Sequence, residues 1–281
     1  MPDILYINGR FTTTDERVIS VEDRGFQFGD SVYEVFKFLG RRPLFLGDHF
    51  RRLQRGLAEI EVPNPWDEAG FAATMAELLA RTSFEEGIVY VQVTRGEAAR
   101  THFYPSGMTP TALAYSRRFT FPDAARKELG IRLVTARDLR WKSCNIKSTN
   151  LLANVLAKTQ ARKAGADEAL LIDEGAVREG ASSSFFGVKQ GRVITSPAEP
   201  CILPGTVRDH VIALALRMRI RVDERFLRDD ELLTLDEAFI TNTTQGVMPV
   251  SEIDGRVLGN SRRGDTTALV DPRTLWGDGH L

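Results

Sequence analysis

Apolar and polar positions alternate from Ser31 to Phe38, with Val32, Glu34, Phe36 and Phe38 on one side and Tyr33, Val35 and Lys37 on the other. That period of two predicts a strand. Upstream, Ile4 to Ile7 and Arg10-Phe11 flank Asn8-Gly9, a hairpin signal because both turn residues tolerate positive φ. Asp23 to Asp30 reads as a glycine-punctuated loop, and Gly40-Arg41 as a turn into a second strand around Leu44 to Leu46. Behind Asp48, a candidate cap, Phe50, Leu53, Leu57 and Ile60 recur at helical spacing. Arg52 falls off that stripe, so periodicity predicts a solvated side chain. A second helix is predicted from Asp67 to Arg81 through Phe71, Met75, Leu78 and Leu79, then a strand from Ile88 to Arg95 opened by Gly87. Gly96 to Pro110 is a long loop, a kind that is commonly functional, and Ala112 to Phe119 is a strand.

Thr120 to Lys127 reads as a connection, which places a domain boundary near residue 121 and predicts domains of 1–120 and 121–281. Beyond it, strands and helices alternate. A strand at Ile131 to Thr135 precedes a helix capped by Ser148, Thr149 or Asn150 and carrying Leu151, Leu152, Val155, Leu156 and Thr159 as far as Gly165. Strands follow at Glu168 to Ile172, Phe185 to Val188, Val193 to Thr195, Ile220 to Phe226 and Glu237 to Asn242, with a helix opening at Gly205-Thr206. The last strand runs into the polar turn Thr243-Thr244-Gln245-Gly246.

With 281 residues and 42% hydrophobic content the chain can bury a substantial core. Its 37 Lys plus Arg against 38 Asp plus Glu give a formal charge of -1, which offers no footprint for nucleic acid or an anionic membrane. The pairs Arg51-Arg52, Arg117-Arg118 and Arg262-Arg263 read as solvated. The N-terminus lacks a basic region followed by an apolar segment, and the longest apolar runs, such as Val211 to Leu216, are far short of a membrane span. A cytoplasmic protein is expected. Two cysteines, Cys144 and Cys201, form no disulfide framework, and His49, His102, His210 and His280 have no metal-ligand spacing, so no metal site is expected. No Gly-rich phosphate loop of Walker or Rossmann type is present.

Candidate chemistry lies elsewhere. Lys147 stands just ahead of the predicted helix start, where the positive end of the macrodipole disfavours a cation and eases deprotonation, as an imine-forming amine requires. Gly205-Thr206 at a helix start and Asn242-Thr243-Thr244 after a strand offer N–H groups and hydroxyls to an anion. A lysine, the glycine-flanked Glu179 and two phosphate cradles suggest pyridoxal phosphate, which needs an amine, a ring-nitrogen partner and a phosphate cup.

The blocks Glu22-Asp-Arg-Gly-Phe-Gln-Phe-Gly-Asp-Ser-Val-Tyr-Glu34, Tyr90-Val-Gln-Val-Thr-Arg-Gly96, Cys144-Asn-Ile-Lys-Ser-Thr-Asn-Leu-Leu152, Glu179-Gly180 and Thr241-Asn-Thr-Thr244 resemble, in this order, the fold type IV pyridoxal-phosphate aminotransferases. Within them the D-amino-acid aminotransferases are the subgroup resembled. The resemblance implies a mixed α+β and α/β fold, with a smaller N-terminal α/β sandwich and a larger C-terminal α/β pseudo-barrel carrying the lysine. It also implies a homodimer with the active site at the subunit interface. Lys147 then forms the Schiff base and carries the proton, and Glu179 keeps the pyridine nitrogen protonated. Arg52 binds phosphate, against its solvated reading, with Thr206, the Val207 N–H, Asn242 and Thr243, and Arg140 lies near the cofactor's phenolic oxygen.

Lysine and glutamate are common to D and L specialists of this fold, so handedness rests on other residues. Tyr33, Arg100 and His102 match the D-type carboxylate trap, whose arginine fork and phenol suit a planar carboxylate. Relatives often carry Asn where Ser184 stands, and Ser or Thr where Ala181 stands, two departures beside the cofactor. The tyrosine that branched-chain relatives place shortly after their lysine has no match in Ser148 to Leu152. The reading is a ping-pong transaminase moving an amino group from a D-amino acid to a 2-oxo acid such as 2-oxoglutarate. Its rivals are a branched-chain L-aminotransferase, an R-selective amine transaminase, an aminodeoxychorismate lyase and a non-enzymatic scaffold.

Overall fold

The computed structural model describes residues 4–259 and 264–271, and the pair Arg262-Arg263 and His280 lie outside the described residues. Contacts divide the chain into two units. One runs to Thr120 and takes in Ile146–Asn150, and the other comprises Phe121–Asn145 and the chain from Leu151 on. The short stretch containing Lys147 therefore packs with the first unit, because the Tyr33 N–H donates to the Lys147 carbonyl at 2.9 Å and Ser148 bridges Val32.

The first unit holds β1 (Ile4–Ile7), β2 (Arg10–Thr13), α1 (Arg24–Phe28), β3 (Ser31–Leu39), β4 (Arg42–Pro43), α2 (Leu46–Glu59), α3 (Glu68–Arg81), β5 (Glu86–Thr94) and β6 (Thr111–Arg117). Its strands form an antiparallel sheet in the order β2-β1-β6-β5-β3-β4. The hairpin forms at Asn8-Gly9, both at positive φ. The alternation in β3 is realised: Val32, Phe36 and Phe38 join Val89, Val91 and Val93 against Phe50, Leu53 and Leu57 of α2 and Phe71, Met75 and Leu78 of α3. At about 1.5–3 kcal/mol per fully buried large apolar side chain, this face dominates the unit's stability.

Several boundaries differ from the sequence reading. The predicted loop at Asp23 to Asp30 contains α1, because Asp23 accepts from the Gly25 N–H and Gly29, at φ 67°, ends the turn. The strand expected at Leu44 to Leu46 falls earlier and is shorter, as β4, since α2 starts at Leu46 with Phe45 as its N-cap and Asp48 inside the first turn.

The second unit holds α4 (Ala124–Leu129), β7 (Ile131–Arg137), α5 (Leu152–Lys163), β8 (Glu168–Asp173), β9 (Ala176–Gly180), β10 (Ser184–Lys189), β11 (Arg192–Thr195), α6 (Thr206–Arg217), β12 (Val222–Glu224), β13 (Glu237–Asn242), β14 (Gly246–Ile253), β15 (Arg256–Val257) and α7 (Asp265–Leu269). Its sheet runs β12-β11-β10-β13-β14-β7-β8-β9, with β15 on β14, and mixes antiparallel pairs with parallel β7–β8, β7–β14 and β11–β12. One side carries α6 over Phe186, Val188, Val193, Phe239 and Val247. A separate core of Ile131, Leu133, Leu170, Phe185, Ile240 and Met248 fills another face, so central strands are buried on both sides.

The helix after Lys147 departs most from expectation. None of Ser148, Thr149 and Asn150 caps α5; its N-cap is Leu151, with no side-chain hydrogen bond. The three residues serve the first unit instead, where the Thr149 hydroxyl meets that of Ser31 at 2.6 Å and Asn150 lies against Gly29. Leu152, Val155 and Leu156 face outward, and Ala157 and Ala161 are what α5 buries.

Candidate active site

In the first unit, the segment Ile146–Asn150 lies along the edge of β3, and the Lys147 amine sits 4.2 Å from the centroid of the Tyr33 ring. Tyr33 is half-buried on the face of β3 opposite the helices and stacks on Tyr90, which stacks on Tyr115. Because α5 begins beyond Leu151, Lys147 is not poised at a helix end, and the macrodipole argument loses its geometric premise.

Arg52 is buried, with 8% exposure, which overturns the solvated reading. Glu34 on β3 explains the difference. Its carboxylate accepts from Arg52 Nε at 2.7 Å and Nη2 at 2.8 Å, and contacts His49 Nδ1 at 2.7 Å. Burial pushes the Glu34 pKa upward, but the Arg52 charge and the hydrogen bonds from Arg52 and His49 prevail and hold it at about 2. For His49 burial dominates and lowers the pKa, against the opposing pull of Glu34.

Arg100 and His102 lie exposed on the loop between β5 and β6. Both are laid on Phe28, with the Arg100 guanidinium carbon 5.0 Å and the His102 ring centroid 5.8 Å from that ring. Arg24 ties the loop down through the Thr101 carbonyl at 2.7 Å and the His102 carbonyl at 3.4 Å. Among the described residues no hydrogen bond or ring contact joins Arg100 or His102 to Tyr33 within one chain.

In the second unit, Glu179 is the penultimate residue of β9 and is buried. It accepts hydrogen bonds from Arg140 Nη1 and from the Leu203 N–H at 3.0 Å, both at Oε1. Its Oε2 accepts none among the described residues. Burial raises the Glu179 pKa, and Arg140 opposes this. Arg140 is fixed in turn by Asp138, which accepts from its Nε at 3.0 Å and its Nη2 at 2.7 Å. At the next position a Cβ on Gly180 would lie 2.1 Å from Ser183 Oγ, so a larger residue would oblige Ser183 to turn away.

Thr206 and Val207 open α6, whose N-cap Gly205 provides no side-chain bond, so the first N–H groups remain to be satisfied. The Val207 side chain packs in the core beneath α6, leaving its backbone for any ligand. Ser184 and Thr241 are cross-strand neighbours on this face; Ser184 Oγ is 2.8 Å from where a Gly205 Cβ would stand, and Thr241 Oγ1 is buried without a partner. Asn242 closes the following turn by accepting from the Gln245 N–H at 2.7 Å, while the Thr243 side chain makes no hydrogen bond among the described residues. Ala181, a departure from the relatives, is buried and gives its carbonyl to Asn154 Nδ2 at 2.8 Å.

Glu34, His49 and Asp138 were not singled out in the sequence. A signal existed for Glu34, a lone carboxylate among apolar residues on the buried side of a strand.

The sequence profile of amino-transferase class IV matches residues 31–253, and the chain belongs to that family. It is an aminotransferase of fold type IV, as its sequence blocks led one to expect. At finer grain, the D-alanine aminotransferase of Bacillus licheniformis is 40% identical over 263 residues, covering 94% of this chain and 93% of the relative. That of Staphylococcus haemolyticus is 34% identical over 264 residues, with the same coverage. Among solved structures, the T.th. branched-chain amino acid aminotransferase with pyridoxamine 5'-phosphate matches with a TM-score of 0.91 at 25% identity, over 98% of this chain and 94% of that one.

Proposed function

We infer that this chain is a pyridoxal-phosphate transaminase that moves the amino group of a D-amino acid, of the D-alanine type, to a 2-oxo acid such as 2-oxoglutarate. One observation carries the reading beyond sequence identity: Tyr33, the tyrosine of a D-type carboxylate trap, lies directly under the Lys147 amine. A carboxylate held there fixes which α hydrogen faces the lysine, and hence the enantiomer that reacts.

The residues fit the cofactor. Glu179 keeps Oε2 uncommitted for a ring N–H, and α6 starts uncapped beside the partnerless Thr241 hydroxyl, where a phosphate would find donors. When bound, pyridoxal phosphate supplies the aldehyde and the electron-withdrawing ring. Lys147 Nζ would hold the cofactor through its aldehyde and move the proton at the substrate α carbon. Glu179 would keep the ring nitrogen protonated, steadied by Arg140, which Asp138 holds and which would itself serve the phenolic oxygen. Arg52, Thr206, the Val207 N–H, Asn242 and Thr243 take the phosphate.

Arg100 and His102 complete the trap from a second copy of the chain. The proposal therefore includes a homodimer, supported by the exposure of both residues and by the lack, among the described residues, of a hydrogen bond or ring contact from either to Tyr33. It also includes a cytoplasmic location, in keeping with two free cysteines; no described helix is long and apolar enough to cross a membrane. The branched-chain reading draws on the structural likeness at 25% identity, less than the 40% to a D-alanine aminotransferase.

The test is to supply the enzyme with D-alanine and 2-oxoglutarate and assay pyruvate and glutamate. Equal amounts of both, dependent on the acceptor, are expected. Pyruvate released from aminodeoxychorismate without an acceptor would identify a lyase, and turnover of an amine lacking a carboxylate would identify an amine transaminase.

A further inference from the structure

Glu34 occupies an unfavourable place. It sits at 0% exposure between Val32 and Phe36, on the face of β3 that the helices cover, where a lone carboxylate is costly. Its three contacts offset that cost and are all directional. Arg52 presents Nε and Nη2 to its two oxygens in the bidentate geometry that fixes a guanidinium plane. His49, 1% exposed, reaches Oε2 through Nδ1. A carboxylate only accepts, so Nδ1 carries the proton. The His49 ring also packs on Phe36, with centroids 5.7 Å apart, which sets its orientation.

The Glu34–Arg52 pair is net neutral, so it adds direction rather than charge. An arginine side chain ordinarily gives up rotamer entropy when it is fixed. Here that ordering is already complete in the folded chain. We propose that Glu34 and His49 are positioning residues that pre-set Arg52 for a phosphate group, with Glu34 fixing the guanidinium plane and His49 holding Glu34. The inference rests on the assignment of Arg52 to the cofactor phosphate. Burial favours the neutral form of His49, with its proton on Nδ1 toward Glu34, and the low pKa of Glu34 keeps the ion pair charged.

The test separates positioning from simple structural support by comparing two ligands. The full chain, stripped of cofactor, is titrated with pyridoxal 5'-phosphate and with pyridoxal, which lacks the phosphate, following visible absorbance. Glu34→Gln and His49→Phe are expected to weaken the phosphorylated ligand about 10- to 100-fold, the range seen when outer partners of metal-binding side chains are removed. Pyridoxal binding should stay within about twofold of wild type. His49→Gln, whose amide can still donate to Glu34, should recover most of the loss. Equal weakening of both ligands, or of neither, overturns the inference. Arg52→Ala supplies the control. If it fails to discriminate the two ligands, the phosphate assignment of Arg52 fails; if it discriminates while Glu34→Gln and His49→Phe do not, only the positioning role fails. Should Glu34→Gln not fold, His49→Phe carries the test, since it removes no charge.

Discussion

Glu179→Gln separates what the buried carboxylate does for the fold from what it does for the chemistry. Both hydrogen bonds that Glu179 accepts, from Arg140 and from the Leu203 N–H, arrive at Oε1. A glutamine that places its carbonyl oxygen there keeps both. Only the charge is lost, and Arg140 retains Asp138 as a counter-ion. Each of the two hydrogen bonds weakens from about 1.5–3 to about 0.5–1.5 kcal/mol, but the burial cost that raises the Glu179 pKa is relieved at the same time, so stability should change by no more than about 1–2 kcal/mol. The proposed ring-nitrogen role predicts a much larger effect on reaction. Removing one preorganised electrostatic group costs about 100- to 1,000-fold in rate. The assay is a single-turnover reaction of cofactor-loaded enzyme with D-alanine, followed by absorbance, beside urea unfolding of the same samples. A variant that keeps its cofactor and reacts within about threefold of wild type would refute the role given to Glu179.

Arg100→Ala should raise the KM for a D-amino acid severely while stability stays unchanged, because Arg100 is exposed and lies on Phe28; unchanged kinetics would remove it from the carboxylate trap. Gly180→Ala puts a Cβ 2.1 Å from Ser183 Oγ and 3.1 Å from the Ser183 carbonyl oxygen, so the Ser183 side chain must rotate away and the turn after Glu179 give by a few tenths of an ångström. Thermal unfolding should register about 1–3 kcal/mol of destabilisation, together with weaker cofactor retention. Glu34 titrates at about 2 in the fold against an ordinary 4.5, and a depressed carboxylate stabilises above its unfolded value. Its contribution should therefore be complete above about pH 4.5 and fall away as pH drops toward 2. Urea unfolding across that window should show a flatter pH dependence in Glu34→Gln than in wild type.

The sequence was most legible where one physical rule acts alone. Alternation located β3 and its buried face, Asn8-Gly9 located the first hairpin, and Asp67 located the start of α3. It misled where two rules give the same letters. Ser148, Thr149 and Asn150 look like caps because short polar side chains that bond nearby backbone also suit a strand edge, and only the pairing with Val32 and Ser31 distinguishes the two. Arg52 looked solvated because helical periodicity scores only apolar positions and cannot register a carboxylate eighteen residues upstream in another element. Leu152, Val155 and Leu156 read as a core stripe, yet α5 turns them outward and buries its alanines. The grouping of Glu179, Arg140 and Asp138 depends on the Leu203 N–H and on sheet order, neither of which leaves a local pattern in the sequence.

The central claim is the handedness of the amino donor. The most direct measurement is the half-reaction of the cofactor-loaded enzyme with D-alanine, D-glutamate, their L forms and L-leucine, following loss of the visible absorbance of the bound cofactor. Rapid loss with the D forms alone is the predicted result. Loss with L-leucine while the D forms stay inert would place the substrate carboxylate on the other side of the ring and contradict the account.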